Sequence, residues 1–385
     1  MLALLWLIPS IIFLCTLSFG WKPVWDALGV TSFTPCFLDL RVITSGLITR
    51  SHGGDPMVSN PFDPLGRTLN YPRIWLALFS LLGVNDHNVV FVGIALCALF
   101  LACVSGLIVD SRDDIEALVI LIAALSLSSL FAIERGNIDL LIFALMYIGC
   151  VTGRKNLRSP IFAFAAILKI YPIAGMVIDL ILRPLREKLW PVLLSVLVIA
   201  ALALQFHDIN LIRRGTPVSS LQSFGAISIK LQAVSYAIRF GFPANHLKQF
   251  GYCVISAIYL IGALFVALAW FKPNPFGQAI RKSPKHSEMF AIFGAIYVFC
   301  FALGSNWDYR LIFLIPTLPF AFLLIRQPEY RLWSILYVIA VICSANSLAL
   351  TVHYGIIFAH LASFAAFLFV LTILAQQIRS FCSAV

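Results

Sequence analysis

Residues 88–109 read NVVFVGIALCALFLACVSGLIV, a stretch without one charged side chain. Comparable apolar runs recur at 2–20, 115–133, 138–152, 189–206, 253–271, 288–304, 310–325, 331–350 and 355–377. A helix needs about 20 apolar residues to cross a hydrocarbon core of about 30 Å. The repeated run length therefore specifies an all-α polytopic membrane protein. Composition agrees: 61% of the 385 residues are hydrophobic, 11% are charged, and the mean hydropathy is +0.96. Soluble domains carry about 25% charged residues. The first 20 residues lack a basic leader and a clear small-residue cleavage site, so they read as the first span. With the interrupted stretch 160–182 added, the expectation is about 10 to 12 transmembrane helices in a single integral-membrane domain, 1–385.

The net charge of +10 is explained by topology. Basic runs such as RKNLR (154–158) are short and scattered, which excludes a nucleic-acid partner. With the N-terminus inside, a single crossing by 160–182 would put RPLREK (183–188) and the basic loop 272–286 outside. A segment that enters and turns back keeps these and the later basic loops inside. Pro172 in LKIYP supplies the turning point, because it lacks an N–H and disfavours helix in the residue before it. The segment 160–182 is therefore expected to be a re-entrant hairpin. The long segments 21–87 and 207–252 then form a first and a second outer loop. Nine cysteines include no C-x-x-C pair, so neither a zinc site nor a disulfide framework is indicated.

Four segments put polar chemistry where a simple anchor needs none. The first, FLDLRVITSGLITRSHGGDPMVSNPFDPLGRTLNYPRIW (37–75), is rich in turn-forming residues and contains Asp39, Arg41, Arg50, His52, Asp55, Asp63, Arg67 and Tyr71. The apolar spacing in LDLRVITSGLI predicts a helix lying on the membrane surface with Asp39 and Arg41 at its start, where Asp39 complements the helix dipole. The second, FAIERGNIDLLIFAL (131–145), sets Glu134, Arg135, Asn137 and Asp139 in apolar surroundings. Gly136 can end one helix, Asn137 cap the next and Asp139 complement its dipole. Arg135 needs a partner at that depth, either Glu134 or an anionic ligand. The third is Lys169 with Tyr171 in LKIYP, a pair suited to phosphate. The fourth is GSNWDYRLIFLIP (304–316), with Asp308 and Arg310. His353 in TVHYG reads as structural. No Walker, Gly-rich nucleotide, H-E-x-x-H or G-x-S-x-G motif occurs, so a nucleotide sugar as direct donor is unsupported.

The ordered set LDLRVITSGL, GGDP, NYPRIW, ERGNIDLLIFAL, LKIYP and NWDYRLIFL resembles the GT-C superfamily of integral-membrane glycosyltransferases. Within it, the set resembles glycosyltransferase family 87, a branch that includes polyprenol-phosphate-mannose-dependent mannosyltransferases. The resemblance implies a multi-span helical fold and a sugar donor, most often mannose, on polyprenyl phosphate. The acceptor would be a lipid-linked or cell-envelope glycan. It also implies an acidic catalytic base early in the first outer loop, which falls on Asp39, and an inverting mechanism at the periplasmic face of a bacterial inner membrane. Some superfamily members carry paired acids there, whereas this chain has LDL, so Asp55 and Asp63 stay open as alternative bases. Arg41, Asp55, Tyr71, Glu134, Arg135, Asn137, Lys169, Tyr171, Asp308 and Arg310 are the candidate substrate contacts. Membrane lipids are the remaining partners. No ligand spacing demands a metal, although the loop carboxylates would suit a divalent cation.

Broken helices with buried charges also suit a transporter or lipid flippase. Against that reading stand the absence of an internal repeat and the gathering of polar residues toward one face.

Overall fold

The structure, a computed structural model, describes residues 1–216, 218, 222–271, 279, 283–346 and 355–382. His353 and most of the basic loop 272–286 fall outside the described residues. Among the described residues the fold is helical, apart from one short antiparallel pairing of Ser223–Phe224 with Asn306–Trp307. Among the described residues, six helices are long and apolar enough to cross a membrane: Leu2–Phe19, Val89–Val109, Ala244–Phe271, Pro284–Leu303, Asp308–Ile325 and Gly355–Cys382. Two bent pairs raise the number to eight if each is one span: Asp114–Ala124 with Leu127–Arg135, bent by 46°, and Leu189–Leu204 with Phe206–Gly215, bent by 66°.

The all-α polytopic architecture is as the sequence predicts, but the expected 10 to 12 spans are too many. The difference lies in apolar helices that are too short. Asp139–Val151 has 13 residues and Arg331–Ala345 has 15. At 1.5 Å per residue, 13 residues rise only about 20 Å. Hydropathy alone counts such segments as spans. The second loop is also more regular than its polarity suggests, since 207–252 holds the helix Ala226–Arg239 and the start of Ala244–Phe271.

The chain divides into two compact units. The first comprises Met1–Met176 and Leu185–Pro217, and the second Val177–Pro184 and Val218–Val385. In the first unit, three local devices position the polar residues.

The first device is the entry to helix Leu38–Ser51. Phe37 precedes it in the left-handed conformation, with φ 57° and ψ 46°, a rare state for a residue with a Cβ. The Phe37 ring fills the space that side chains at two glycines would occupy. A Cβ at Gly93 would come within 2.5 Å of this ring, and one at Gly136 within 2.8 Å. Helix Leu38–Ser51 itself buries Leu38, Leu40, Val42 and Ile43, so it is a core element and not a helix lying on a surface.

The second device ends helix Leu127–Arg135. Gly136 is left-handed at φ 56°, its N–H donates to Ile133 O at 3.0 Å, and the Asn137 N–H donates to Ala132 O at 3.0 Å. This is a Schellman closure, which satisfies two of the helix's last carbonyls. Asn137 Oδ1 then accepts from the Asp139 N–H at 2.8 Å and caps helix Asp139–Val151. The predicted roles of Gly136 and Asn137 are those observed.

The third device is the break between Lys155–Leu168 and Pro172–Ile181. Lys169 is extended, with φ −150° and ψ 143°. The carbonyl of Leu168, freed by the break, accepts from Trp75 Nε1 at 3.0 Å. The NYPRIW segment of the first loop thus packs against the LKIYP break.

Candidate active site

Asp39 lies in the first turn of Leu38–Ser51, with 15% of its side chain accessible. Both carboxylate oxygens are engaged. Oδ1 accepts from Arg67 Nη1 at 3.2 Å, and Oδ2 accepts from Asn137 Nδ2 at 2.6 Å. The first-loop motif and the ERGN motif, nearly a hundred residues apart in the chain, therefore meet at one carboxylate.

Arg67 is held from behind. Its Nε and Nη2 donate to Asp63 at 3.1 and 2.9 Å, and Nη2 also donates to Leu38 O at 2.7 Å. Burial works against the Arg67 charge. The hydrogen bonds to Asp63 and the charges of Asp39 and Asp63 outweigh it and hold the guanidinium above its ordinary pKa. Asp63 has no accessible side-chain surface and takes further bonds from the N–H groups of Leu65 and Arg67 at 3.0 and 2.9 Å. Its carboxylate is committed to its own turn. Asp55 is engaged in a two-pronged pair with Arg73, at 2.8 and 3.1 Å, and Arg73 Nε reaches Asp208 at 2.9 Å. The Arg73 hydrogen bonds hold the Asp55 carboxyl below its usual range, against a smaller burial effect.

From Asn137 the polar chain continues through Asp139. This fully buried carboxylate accepts from Lys169 Nζ and from Tyr171 Oη, the latter at 2.6 Å. Lys169 Nζ also stands 5.0 Å from the centre of the Tyr71 ring. The expectation for Asp139 was a dipole complement at a helix start; its larger role is as the counter-ion of Lys169. A buried Lys alone is costly, and a carboxylate within contact distance removes most of that cost.

Glu134 is fully buried and accepts from Trp21 Nε1 at 2.9 Å. Its second oxygen stands 3.2 Å from Arg135 Nε, close enough for an ion pair but not aligned as a hydrogen bond. The Arg135 guanidinium lies 4.9 Å from the Phe33 ring centre and 5.1 Å from that of Phe131. Glu134 is thus one partner of Arg135, as the sequence allows.

Arg41 turns away from Asp39: its Nε donates to Cys36 O at 2.8 Å and its Nη1 stands 3.9 Å from Asp86. In the second unit, Asp308 is buried with its N–H on Gln222 O at 3.1 Å, and Arg310 donates to Asn306. The described cluster of the first unit gathers four carboxylates (Asp39, Asp63, Glu134, Asp139) and three cations (Arg67, Arg135, Lys169). Its formal excess is negative. Among its carboxylates Asp39 alone is both accessible and unprotected by a one-to-one cation.

Sequence reasoning named Arg67 among the first-loop charges without giving it a role, and it did not single out Trp21. For Arg67 a signal exists in DPLGR (63–67), where Asp63 closes a turn onto the N–H of Leu65 and returns to Arg67 four residues on. For Trp21 no local signal exists, since its partner is more than a hundred residues away.

Comparison with known proteins gives one family. A model of glycosyltransferase family 87 matches residues 69–281, more than half of the chain. The matched range contains Tyr71, the ERGN motif and LKIYP, while Asp39 precedes it and Arg310 follows it. No curated protein and no solved structure matches.

Proposed function

We propose, from the premise that the chain belongs to glycosyltransferase family 87, how this multi-pass membrane glycosyltransferase works and what it acts on. The donor is a sugar, mannose foremost, carried on a polyprenyl phosphate, and the acceptor is a hydroxyl of a lipid-linked or envelope glycan. Transfer takes place at the outer face of the membrane, the periplasmic face of a bacterial inner membrane.

The observation that carries this reading is the setting of Asp39. Its carboxylate is partly accessible, lies at a helix start and is fixed by Arg67 and Asn137. A general base needs a fixed lone pair within reach of the proton that it removes. Asp39 takes the acceptor's hydroxyl proton as that oxygen attacks the anomeric carbon. The bond from that carbon to the phosphate oxygen breaks, and polyprenyl phosphate leaves with the electron pair. One displacement inverts the anomeric centre.

Arg135 is the cation best suited to the departing phosphate. Its guanidinium lies 4.9 and 5.1 Å from the Phe33 and Phe131 ring centres, and a tenth of its side chain stays accessible. Charge-assisted bonds to phosphate are about twice as strong as neutral ones. Lys169 and Tyr171 act through Asp139, shaping the wall beside Tyr71.

The test is Asp39→Asn in purified protein, assayed with a synthetic polyprenyl-phosphate mannose and membrane glycolipid acceptors. Transfer should vanish while the variant remains monodisperse and still binds the donor lipid. Transfer that survives the change removes Asp39 as the base.

A further inference from the structure

We infer that Arg67 is a positioning residue for the reaction: its fork, locked by Asp63, aims the Asp39 carboxylate at the acceptor hydroxyl. This rests on the reading of Asp39 as the base.

Arg67 contacts four acceptor atoms on three groups at once. Nη1 reaches Asp39 Oδ1 at 3.2 Å, Nη2 reaches Leu38 O at 2.7 Å and Asp63 Oδ1 at 2.9 Å, and Nε reaches Asp63 Oδ2 at 3.1 Å. The bond to Leu38 O matters because Leu38 is the residue before Asp39. Arg67 therefore grips both the backbone that carries the base and the base itself. Asp63 in turn is fixed by the N–H groups of Leu65 and Arg67. The aim of the carboxylate is thus referred back to a closed turn of the first loop, and on its other oxygen to the cap of helix Asp139–Val151 through Asn137.

The chemistry favours this division of labour. A carboxylate in the first turn of a helix has free rotation about its side-chain bonds unless something holds it. A planar guanidinium presents several donors in a rigid fork, which a Lys ammonium cannot reproduce. A proton acceptor misplaced by about 1 Å can cost about 100-fold in rate. Arg67 also has 19% of its side chain accessible, little enough for its bonds to be stable and well short of a free substrate-binding cation.

The experiment compares Arg67→Ala, Arg67→Lys and Asp63→Asn with the full-length protein in detergent, using synthetic polyprenyl-phosphate mannose as donor. The expected result is a kcat lowered at least about 10-fold in both Arg67 variants, with the donor KM unchanged. Guanidinium ion added at a non-denaturing concentration should restore part of the lost kcat to Arg67→Ala and none to Arg67→Lys. Asp63→Asn should fall between these and the wild type. A folded Arg67→Ala that keeps its kcat overturns the inference. So does a donor KM that rises while kcat holds, because Arg67 would then contact substrate. A loss with a lowered unfolding temperature and no rescue by guanidinium also overturns it, since that is a purely structural role. If Arg67→Ala does not fold, Arg67→Lys decides by the same kcat criterion. Asp39→Asn run alongside separates the two readings. If it retains transfer, the base assignment fails. If it is inactive while Arg67→Ala turns over normally, only the role of Arg67 fails.

Discussion

Asn137 donates its amide to Asp39 at 2.6 Å and, through its amide oxygen, caps the helix that begins with Asp139 at 2.8 Å. One side chain thus fixes the candidate base and the start of the element that holds the Lys169 counter-ion. Asn137→Asp separates these two tasks. The new carboxylate can still accept from the Asp139 N–H, but it faces Asp39 with like charge. Because Asn137 is fully buried, that repulsion should lower the unfolding temperature, and the transfer rate should fall at least about 10-fold. Asn137→Ala should lose the cap as well, costing about 1 kcal/mol of stability. Circular-dichroism melts beside a radiolabelled transfer assay read both. Normal transfer by Asn137→Asp removes Asn137 from the site.

The Lys169–Asp139 pair makes a sharper prediction about stability than about binding. Both groups are buried, and Tyr171 shares the same carboxylate. Removing one partner of such a pair costs about 3–5 kcal/mol, because the other charge stays behind. Lys169→Ala should therefore lower the unfolding temperature strongly, and Lys169→Met with Asp139→Leu should recover most of the loss. A stable Lys169→Ala with a raised donor KM would return Lys169 to direct phosphate contact.

Asp55 provides a pH-dependent contribution with a fixed sign. Its folded pKa is below the ordinary 3.8, first through the Arg73 hydrogen bonds. A depressed carboxyl pKa stabilises the fold above the unfolded value and loses that contribution as pH falls through the folded one. The pair is about two-fifths exposed, so it is worth about 0.2–1 kcal/mol. Between neutral pH and about pH 3 the wild type should lose more of its unfolding temperature than Asp55→Asn does. Melting curves that stay parallel over that range contradict the assignment.

What the sequence made legible follows its local physics. The charge-free run 88–109, the helix start at Asp39 and the Gly136–Asn137 junction each depend on residues within a few positions, and each is found where expected. Local chemistry also gave the break at Lys169, because Pro172 imposes it. The Trp21–Glu134 bond spans 113 positions and Lys169–Asp139 spans 30, so both depend on packing that no local pattern encodes. The overcounted spans have the opposite origin. Hydropathy registers apolar content, but a span also needs unbroken length, and the junction at Gly136 and Asn137 cuts that length at a turn that carries polar residues of the site.

Phe37 ties packing to the candidate base most directly. Its ring occupies the room left by Gly93 and Gly136, and its left-handed backbone launches the helix whose second residue is Asp39. Gly93→Ala puts a Cβ 2.5 Å from that ring, a distance that real contacts do not tolerate, so the ring must move. Overpacking of this kind costs about 1–3 kcal/mol. Because the ring is one residue from the helix start, its displacement should also tilt Leu38 and Asp39 away from Arg67 and Asn137. Gly93→Ala is therefore expected to lower both the unfolding temperature and kcat, although Gly93 belongs to an apolar span. Phe37→Ala removes Cγ, Cδ2 and Cε2, the atoms that clash, so Gly93→Ala should cost less kcat in that background than in the wild type. A double-mutant cycle in kcat and in unfolding temperature measures that coupling. Additive effects would mean that the wedge sets stability alone and leaves the aim of Asp39 to its polar partners.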